Sequence, residues 1–171
     1  MKNELKSHLQ KQLDQVNTSL SFAEAKNIAL IAFNVAMMGL LNEMYKDTKI
    51  ILCITLSFIV TSSLVSILSF WPNLLSSLQK RNDKSNNENE LNLIFFGDIA
   101  KIDNEKAFLE YTKKKYFTRD GSENTDHVII DLASEVLINS KITKKKNNFF
   151  RIALILDIAC LAVLMVVIMI A

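Results

Sequence analysis

One short stretch of aromatic and charged side chains is suited to binding a small anionic ligand. It contains Phe95, Phe96, Asp98 and Lys101, and Arg119 follows it along the chain. Aromatic rings can stack on a base, a carboxylate can accept hydrogen bonds from its donor groups, and Lys or Arg can neutralise a phosphate. We therefore predict that these residues contact a ligand. The alternative is that Phe95 and Phe96 only dock their segment onto neighbouring helices.

A second set of polar side chains lies inside long apolar runs, where ionisable groups are costly. It consists of Asn34, Ser62, Ser66 and Asp157. A carboxylate at such a position costs about 2.5–3.5 kcal/mol on insertion scales, so Asp157 should face protein or water rather than lipid. We predict an intramembrane polar seam that opens, or re-pairs between subunits, on activation. Alternatively, hydrogen bonds from Asp157 only fix the register of the helices.

Nothing in the sequence indicates an enzyme. His8 and His127 lie far apart, and no cysteine is near either of them. The chain lacks the G-x-S-x-G, phosphate-loop and H-E-x-x-H motifs. We expect no metal and no resident cofactor. The lysine runs at 113–115 and 144–146 suit solvated faces and lipid headgroups rather than nucleic acid.

Three apolar runs have to position the polar seam: Ile28–Met44, Ile50–Phe70 and Ile152–Ala171. A helix needs about 20 residues to cross the hydrocarbon core of a bilayer. Half of the residues are hydrophobic and 22% are charged, and the two kinds occupy separate blocks. Only three glycines and one proline are present, so little interrupts helix formation. We predict an all-α protein with three transmembrane spans.

The basic residues beside the spans predict the orientation, because cytoplasmic loops are enriched in Lys and Arg. The turn Tyr45–Lys49 between the first two spans holds two lysines. The region between the second and third spans holds eight basic residues close to its ends: Lys80, Arg81, Lys84, Lys141, Lys144, Lys145, Lys146 and Arg151. We therefore expect a cytoplasmic amino terminus, a cytoplasmic middle region and an external carboxyl terminus.

The cytoplasmic parts are predicted to be largely helical stalks. Apolar residues recur at spacings of three and four near the amino terminus (Leu5, Leu9, Leu13, Val16 and Leu20), so residues 4–44 are expected to form one helix. The alternative places residues 4–20 flat on the bilayer. A similar stripe (Ile129, Leu132, Ala133 and Val136) follows Thr125 and Asp126, either of which can cap a helix that reaches residue 170.

These elements divide the chain into four predicted regions. Residues 1–26 form a cytoplasmic amphipathic helix, 27–71 a transmembrane hairpin, 72–150 a cytoplasmic region, and 151–171 the third span. The small cytoplasmic module is centred on a ligand-sensing segment at 91–124. Within it, Asp103 is expected to cap a helix over Asn104–Tyr116, with Ala107, Phe108 and Tyr111 on one side.

Two short motifs link the chain to a known family. Ala23-Glu24-Ala25-Lys26 is followed eight residues later by Asn34. Asn92-Leu93-Ile94-Phe95-Phe96-Gly97-Asp98-Ile99-Ala100-Lys101 forms the second. Together with the order of two spans, a polar middle and a final span, they resemble the Pycsar transmembrane effectors. The resemblance covers most of the chain from residue 23 onward, and its motif residues include Glu24, Lys26, Asn34 and Gly97.

The resemblance implies a role in bacterial anti-phage defence. In that family a partner pyrimidine cyclase makes cyclic CMP or cyclic UMP during infection. The effector responds to this ligand and impairs the inner membrane, so that infection is aborted. We accordingly expect an inner-membrane homo-oligomer. The alternatives are a membrane effector of a cyclic-dinucleotide system, an adaptor without a ligand, and a holin-like pore.

Overall fold

A computed structural model describes residues 2–44, 49–70, 91–117 and 127–170. The helices are α1 (Lys2–Met44), α2 (Lys49–Leu68), α3 (Phe96–Ile99), α4 (Glu105–Tyr116) and α5 (His127–Ile170). No strand occurs in these four ranges, which confirms the predicted all-α class. The long helices predicted over 4–44 and 126–170 correspond to α1 and α5. The expected caps of the second, Thr125 and Asp126, lie outside the described residues.

The predicted start of α4 is wrong by one residue. Asn104, not Asp103, is the cap: its backbone is extended, and its side-chain oxygen accepts a hydrogen bond from the amide of Ala107 at 2.9 Å. Asp103 lies one residue too early for this geometry. Its backbone carbonyl oxygen accepts a hydrogen bond from the ammonium group of Lys141 at 3.1 Å. The expected inner side of α4 is confirmed, because Phe108 is fully buried and Ala107 and Tyr111 pack against the same core.

The chain forms two compact units. The first comprises Met1–Ser21 and Asn73–Lys144, and the second comprises Phe22–Pro72 and Lys145–Ala171. Both α1 and α5 contribute residues to each unit.

The first unit has an ordinary apolar core. Its buried residues come from α1 (Leu5, Leu9, Val16), from the 91–102 segment (Leu91, Leu93, Ile99, Ile102), from α4 (Phe108, Leu109) and from α5 (Ile129, Ala133, Val136, Leu137). The predicted stripes of α1 and α5 therefore face protein. This packing supports the stalk interpretation of residues 4–20 over a helix that lies alone on a bilayer.

The second unit packs three helices along regularly spaced seams. Buried positions on α2 and just after it alternate at intervals of four and three: Thr55, Ile59, Ser62, Ser66 and Ser69. The same alternation occurs on α5 (Ala153, Asp157, Cys160, Leu164) and on α1 (Ala23, Asn27, Leu30, Asn34). This repeat is the pattern of knobs-into-holes packing between helices.

The second unit differs from the first in the side chains that it exposes and buries. Many of its buried side chains are polar, whereas its exposed side chains are largely apolar; Val35, Ile155 and Met169, for example, are 62%, 58% and 84% exposed. By length and composition alone, two described helices can cross a membrane, within Asn3–Glu43 and His127–Val167. The apolar part of α2, Leu52–Leu68, is shorter. The third span stays a prediction.

Candidate functional site

The polar residues predicted on three different runs meet in the core of the second unit. The orientation of the Asn34 amide that satisfies its neighbours points its nitrogen at the two carboxylate oxygens of Asp157, at 3.2 and 3.3 Å. The Asn34 oxygen then accepts from Ser62 and Ser63, at 3.0 and 3.2 Å. Asn34 is fully buried and Asp157 is 4% exposed. The helices α1, α2 and α5 thus each supply a polar group to one cluster.

Further polar atoms extend this cluster along α2. The Ser62 hydroxyl also lies 3.1 Å from the carbonyl oxygen of Ala153. Ser66, one turn later, is fully buried, and its hydroxyl oxygen has no partner among the described residues. Cys160 contacts the carbonyl oxygen of Thr55 at 3.7 Å. The arrangement can fix helix register or offer polar groups to a new partner; its role in activation stays a prediction.

The motif residues Glu24 and Lys26 bind α5 within the second unit. Glu24 accepts a hydrogen bond from Lys146 at 2.6 Å, and Lys26 donates to the side-chain oxygen of Asn147 at 2.9 Å. The Lys26 ammonium group lies 4.6 Å from the centre of the Phe22 ring, a distance at which cation–π attraction operates. Sequence reasoning missed Lys146 and Asn147 as partners, because a helical stripe does not say which residue of a distant helix it will meet.

Asp98 organises the candidate ligand segment in the first unit. Its carboxylate accepts from Lys101 at 2.5 Å and from the backbone amide of Asn92 at 3.2 Å. The Asn92 side chain in turn accepts from the amide of Ile94 at 3.1 Å. The hydrogen bond from Lys101 is the main reason that the pKa of Asp98 falls below its usual value. Asp98 and Lys101 are therefore engaged in shaping the turn that leads into α3.

The two phenylalanines of the segment have different surroundings. Phe96 packs against the core of the first unit, whereas Phe95 is half exposed. Their ring centres are 4.7 Å apart. Gly97 is buried directly beside the Phe95 ring, which leaves no room for a Cβ atom there without moving that ring. Phe96 thus packs as the alternative interpretation expects, half of the Phe95 side chain is exposed, and ligand contact by either ring stays a prediction. Arg119 lies outside the described residues.

Side chains from other helices hold the same segment by its backbone. Gln12 on α1 donates to the carbonyl oxygen of Leu93 at 2.6 Å. Lys115 at the end of α4 donates to the carbonyl oxygen of Leu91 at 2.5 Å. Neither contact was predicted. Gln12 is a polar residue beside the apolar stripe of α1, and its type is typical of the protein surface. The described residues contain no group of three or more metal-binding side chains.

Comparison with known proteins settles the family. A family model described as a Pycsar effector protein domain matches residues 8–171. The chain belongs to the Pycsar effector family. It is also similar to the Pycsar effector protein RsPycTM of a Rhizobium species, with 29% identity over 154 residues that cover 85% of this chain and 83% of the relative. No solved structure matches the chain.

Membership of the Pycsar effector family indicates the general role of the chain and its membrane setting. The chain is an anti-phage defence effector with a functional link to a cyclic-nucleotide signalling system. The family is one of effectors and not of enzymes. Together with the two long apolar helices, membership indicates a membrane protein. The resemblance predicted from the two motifs is confirmed.

Proposed function

We propose that this Pycsar effector responds to cyclic CMP or cyclic UMP, made by a partner pyrimidine cyclase, and impairs the inner membrane so that infection is aborted. The main support is the surface of the second unit, whose exposed side chains are largely apolar, while polar side chains such as Asn34, Ser62 and Asp157 are buried. A protein surface of that kind is stable in lipid and unfavourable in water. A membrane is thus the medium in which the effector acts.

The proposed topology has three spans. Two of them lie in α1 and α5, which are long and apolar enough to cross a bilayer. The third extends the apolar part of α2 to the whole run Ile50–Phe70, which contains no charged residue. Because basic residues are concentrated beside the middle region, we place the amino terminus and the first unit in the cytoplasm. The carboxyl terminus then lies on the outer side.

Coupling between ligand and membrane would run through the two long helices. Since α1 and α5 contribute residues to both units, these two helices would carry the effect of ligand binding from the first unit to the second. A ligand that binds one arrangement better shifts the population towards it, by no more than its differential affinity. In the second unit, the polar groups of Asn34, Ser62, Ser66 and Asp157 could then re-pair between copies of the chain, as polar side chains do between helices in lipid.

The segment around Phe95 is one candidate position for the ligand. Phe95 offers an exposed aromatic face, and the Lys101 side chain is 44% exposed. For Asp98 to contact a ligand, the ligand would have to share or replace its bonds to Lys101 and Asn92.

Dye release from vesicles tests the proposed function. Purified protein in vesicles of phosphatidylethanolamine and phosphatidylglycerol should release a trapped dye on addition of cyclic UMP or cyclic CMP. Cyclic AMP and protein-free vesicles are the controls, and neither should cause release. Silence with both pyrimidine nucleotides would count against the proposal. Release by cyclic dinucleotides alone would favour the alternative defence system.

A further inference from the structure

Two buried polar atoms on neighbouring turns of α1 have no hydrogen-bond partner among the described residues. They are Nε2 of His8 and Oε1 of Gln12. Gln12 is 3% exposed, and only its amide nitrogen is paired, with the carbonyl oxygen of Leu93. Side chains four residues apart share one face of a helix. Because buried polar groups are nearly always paired, two unpaired atoms on one face require an explanation.

Aromatic rings at the end of α4 are close to His8, and a lysine beside them contacts the segment that Gln12 also contacts. The centre of the His8 ring lies 5.0 Å from that of Tyr116 and 5.8 Å from that of Phe117. Lys115 precedes Tyr116 and donates to the carbonyl oxygen of Leu91. Residues 91–93 therefore receive hydrogen bonds from both Gln12 and Lys115. An amide, an imidazole, aromatic rings and an ammonium group are thus brought to one part of the first unit.

We propose that His8, Gln12, Lys115 and Tyr116 form the recognition site for a cyclic pyrimidine nucleotide; this inference rests on the proposed function. A glutamine amide carries a donor and an acceptor side by side, which matches the adjacent donor and acceptor on the edge of a pyrimidine base. The His8 and Tyr116 rings suit stacking against the base. The Lys115 ammonium group suits the charged cyclic phosphate.

Binding at this site would act on residues 91–93. Gln12 and Lys115 hold two carbonyl oxygens of that segment. A nucleotide that takes over both side chains frees the segment from α1 and from the end of α4. The ligand then has different affinities for the held and freed arrangements, which is the condition for shifting a population.

Titration calorimetry of the full chain in detergent, with cyclic UMP and cyclic CMP, tests the site. Gln12→Met removes the amide at similar volume, and Tyr116→Ala removes a ring that is partly exposed. Each should weaken binding at least about tenfold, which corresponds to roughly 1.4 kcal/mol. Gln10→Ala changes an exposed residue of the same helix and should leave the Kd unchanged. Helical circular dichroism shows which variants fold, and if one does not, the other decides.

The outcomes distinguish this site from the proposed function. If the wild type binds a cyclic pyrimidine nucleotide and both variants bind it equally well, the site is overturned and the proposed function stands. Loss of binding in Phe95→Ala together with normal binding in Gln12→Met also overturns it, in favour of the Phe95 face. If the wild type gives no binding heat with either nucleotide, the proposed function fails and the site fails with it.

Discussion

A carboxylate within an apolar helix has to find polar partners, and Asp157 finds the amide of Asn34 in the core of the second unit. Replacing Asp157 by Leu leaves that fully buried amide without its acceptor. An unpaired buried polar group costs about 1–3 kcal/mol. We therefore expect Asp157→Leu to lower the melting temperature of the protein in detergent. Asp157→Asn keeps a hydrogen-bonding group of the same size and should lower it less.

The double variant Asn34→Leu/Asp157→Leu is the control for this pairing. Removing both partners can be nearly neutral, so the double variant should recover much of the stability lost in Asp157→Leu. Strictly additive losses would contradict the pairing.

Nucleotide-induced dye release by Asp157→Asn tests the role of the polar seam in the leak. If its release equals that of the wild type at equal protein level, the charge of Asp157 has no part in the leak.

The motif residue Glu24 allows a charge-reversal test. Its carboxylate is 42% exposed and binds Lys146, which is 12% exposed. Because such partly exposed pairs contribute only about 0.2–1 kcal/mol, single neutral substitutions should have small effects. Glu24→Lys, which creates repulsion, should lower the melting temperature measurably. Adding Lys146→Glu should restore it, whereas adding Lys145→Glu on the neighbouring exposed lysine should not. Equal rescue by both would mean that only net charge matters.

His8 should make the first unit sensitive to mild acid. Burial lowers the pKa of His8 below its ordinary 6.5, and Lys11 adds a smaller effect in the same direction. The unfolded chain then takes up a proton more readily than the folded chain, so stability falls as pH drops below about 6.5 and is level above it. Thermal unfolding between roughly pH 8 and pH 5.5 should show this slope. His8→Asn should flatten it; a slope retained in His8→Asn would contradict the assignment.

At the scale of elements, the start of α4 depends on one side chain. Asn104→Ala removes the hydrogen bond to the amide of Ala107, and loss of such a cap costs about 1 kcal/mol. We expect faster hydrogen exchange in the first turn of α4, measured by mass spectrometry. Asn104→Asp keeps an acceptor and should retain protection. Asp103→Ala is the matched control and should have the smaller effect; the reverse order would show that Asp103 is the cap.

The long helices can be predicted from the sequence, but the contacts that hold the 91–102 segment in place cannot. Long stretches without Gly or Pro and apolar spacings of three and four are local signals, and they predict α1 and α5. The segment instead depends on Gln12, which lies 81 residues from its partner Leu93. No local pattern reports such a contact. The cap of α4 was ambiguous for another reason, since Asp103 and Asn104 are both good caps and propensity does not choose between neighbours.

The candidate site was predictable to a similar degree. The spacing of the hydroxyl residues indicates that Ser62 and Ser66 share one face of a helix, and a carboxylate in an apolar run indicates that Asp157 points inward. The sequence suggests their joint contact with Asn34 but does not establish it, because the register between the helices sets that contact. The unpaired atoms of His8 and Gln12 have no signal in the sequence at all, since hydrogen bonding is visible only in three dimensions.

On the scale of the whole molecule, the two kinds of core distinguish two environments. The first unit buries apolar side chains, as a domain in water must. The second buries Asn34, Ser62 and Asp157 and exposes Ile, Leu, Val and Met. In lipid no hydrophobic force brings helices together, so polar contacts and close packing have to do so. The separate blocks of charged and apolar residues in the sequence therefore correspond to one unit suited to water and one suited to lipid.

The proposed function also fixes the side of the membrane on which the first unit must lie. A nucleotide made in the cytoplasm can reach the first unit only if α1 begins there. We expect Ser7→Cys, in a chain that carries Cys53→Ser and Cys160→Ala, to resist a membrane-impermeant maleimide in spheroplasts and to react after lysis. Ser7 is exposed, so access is limited by the membrane alone.

Lys46→Cys in the same background should show the opposite labelling pattern. Residue 46 belongs to the turn predicted to lie outside, within residues 45–48 that the structure does not describe. It should react in intact spheroplasts. Reaction at position 7 with protection at position 46 would invert the topology. The basic residues around Lys146 would then lie on the side from which they are normally excluded, and a cytoplasmic nucleotide could not reach the first unit.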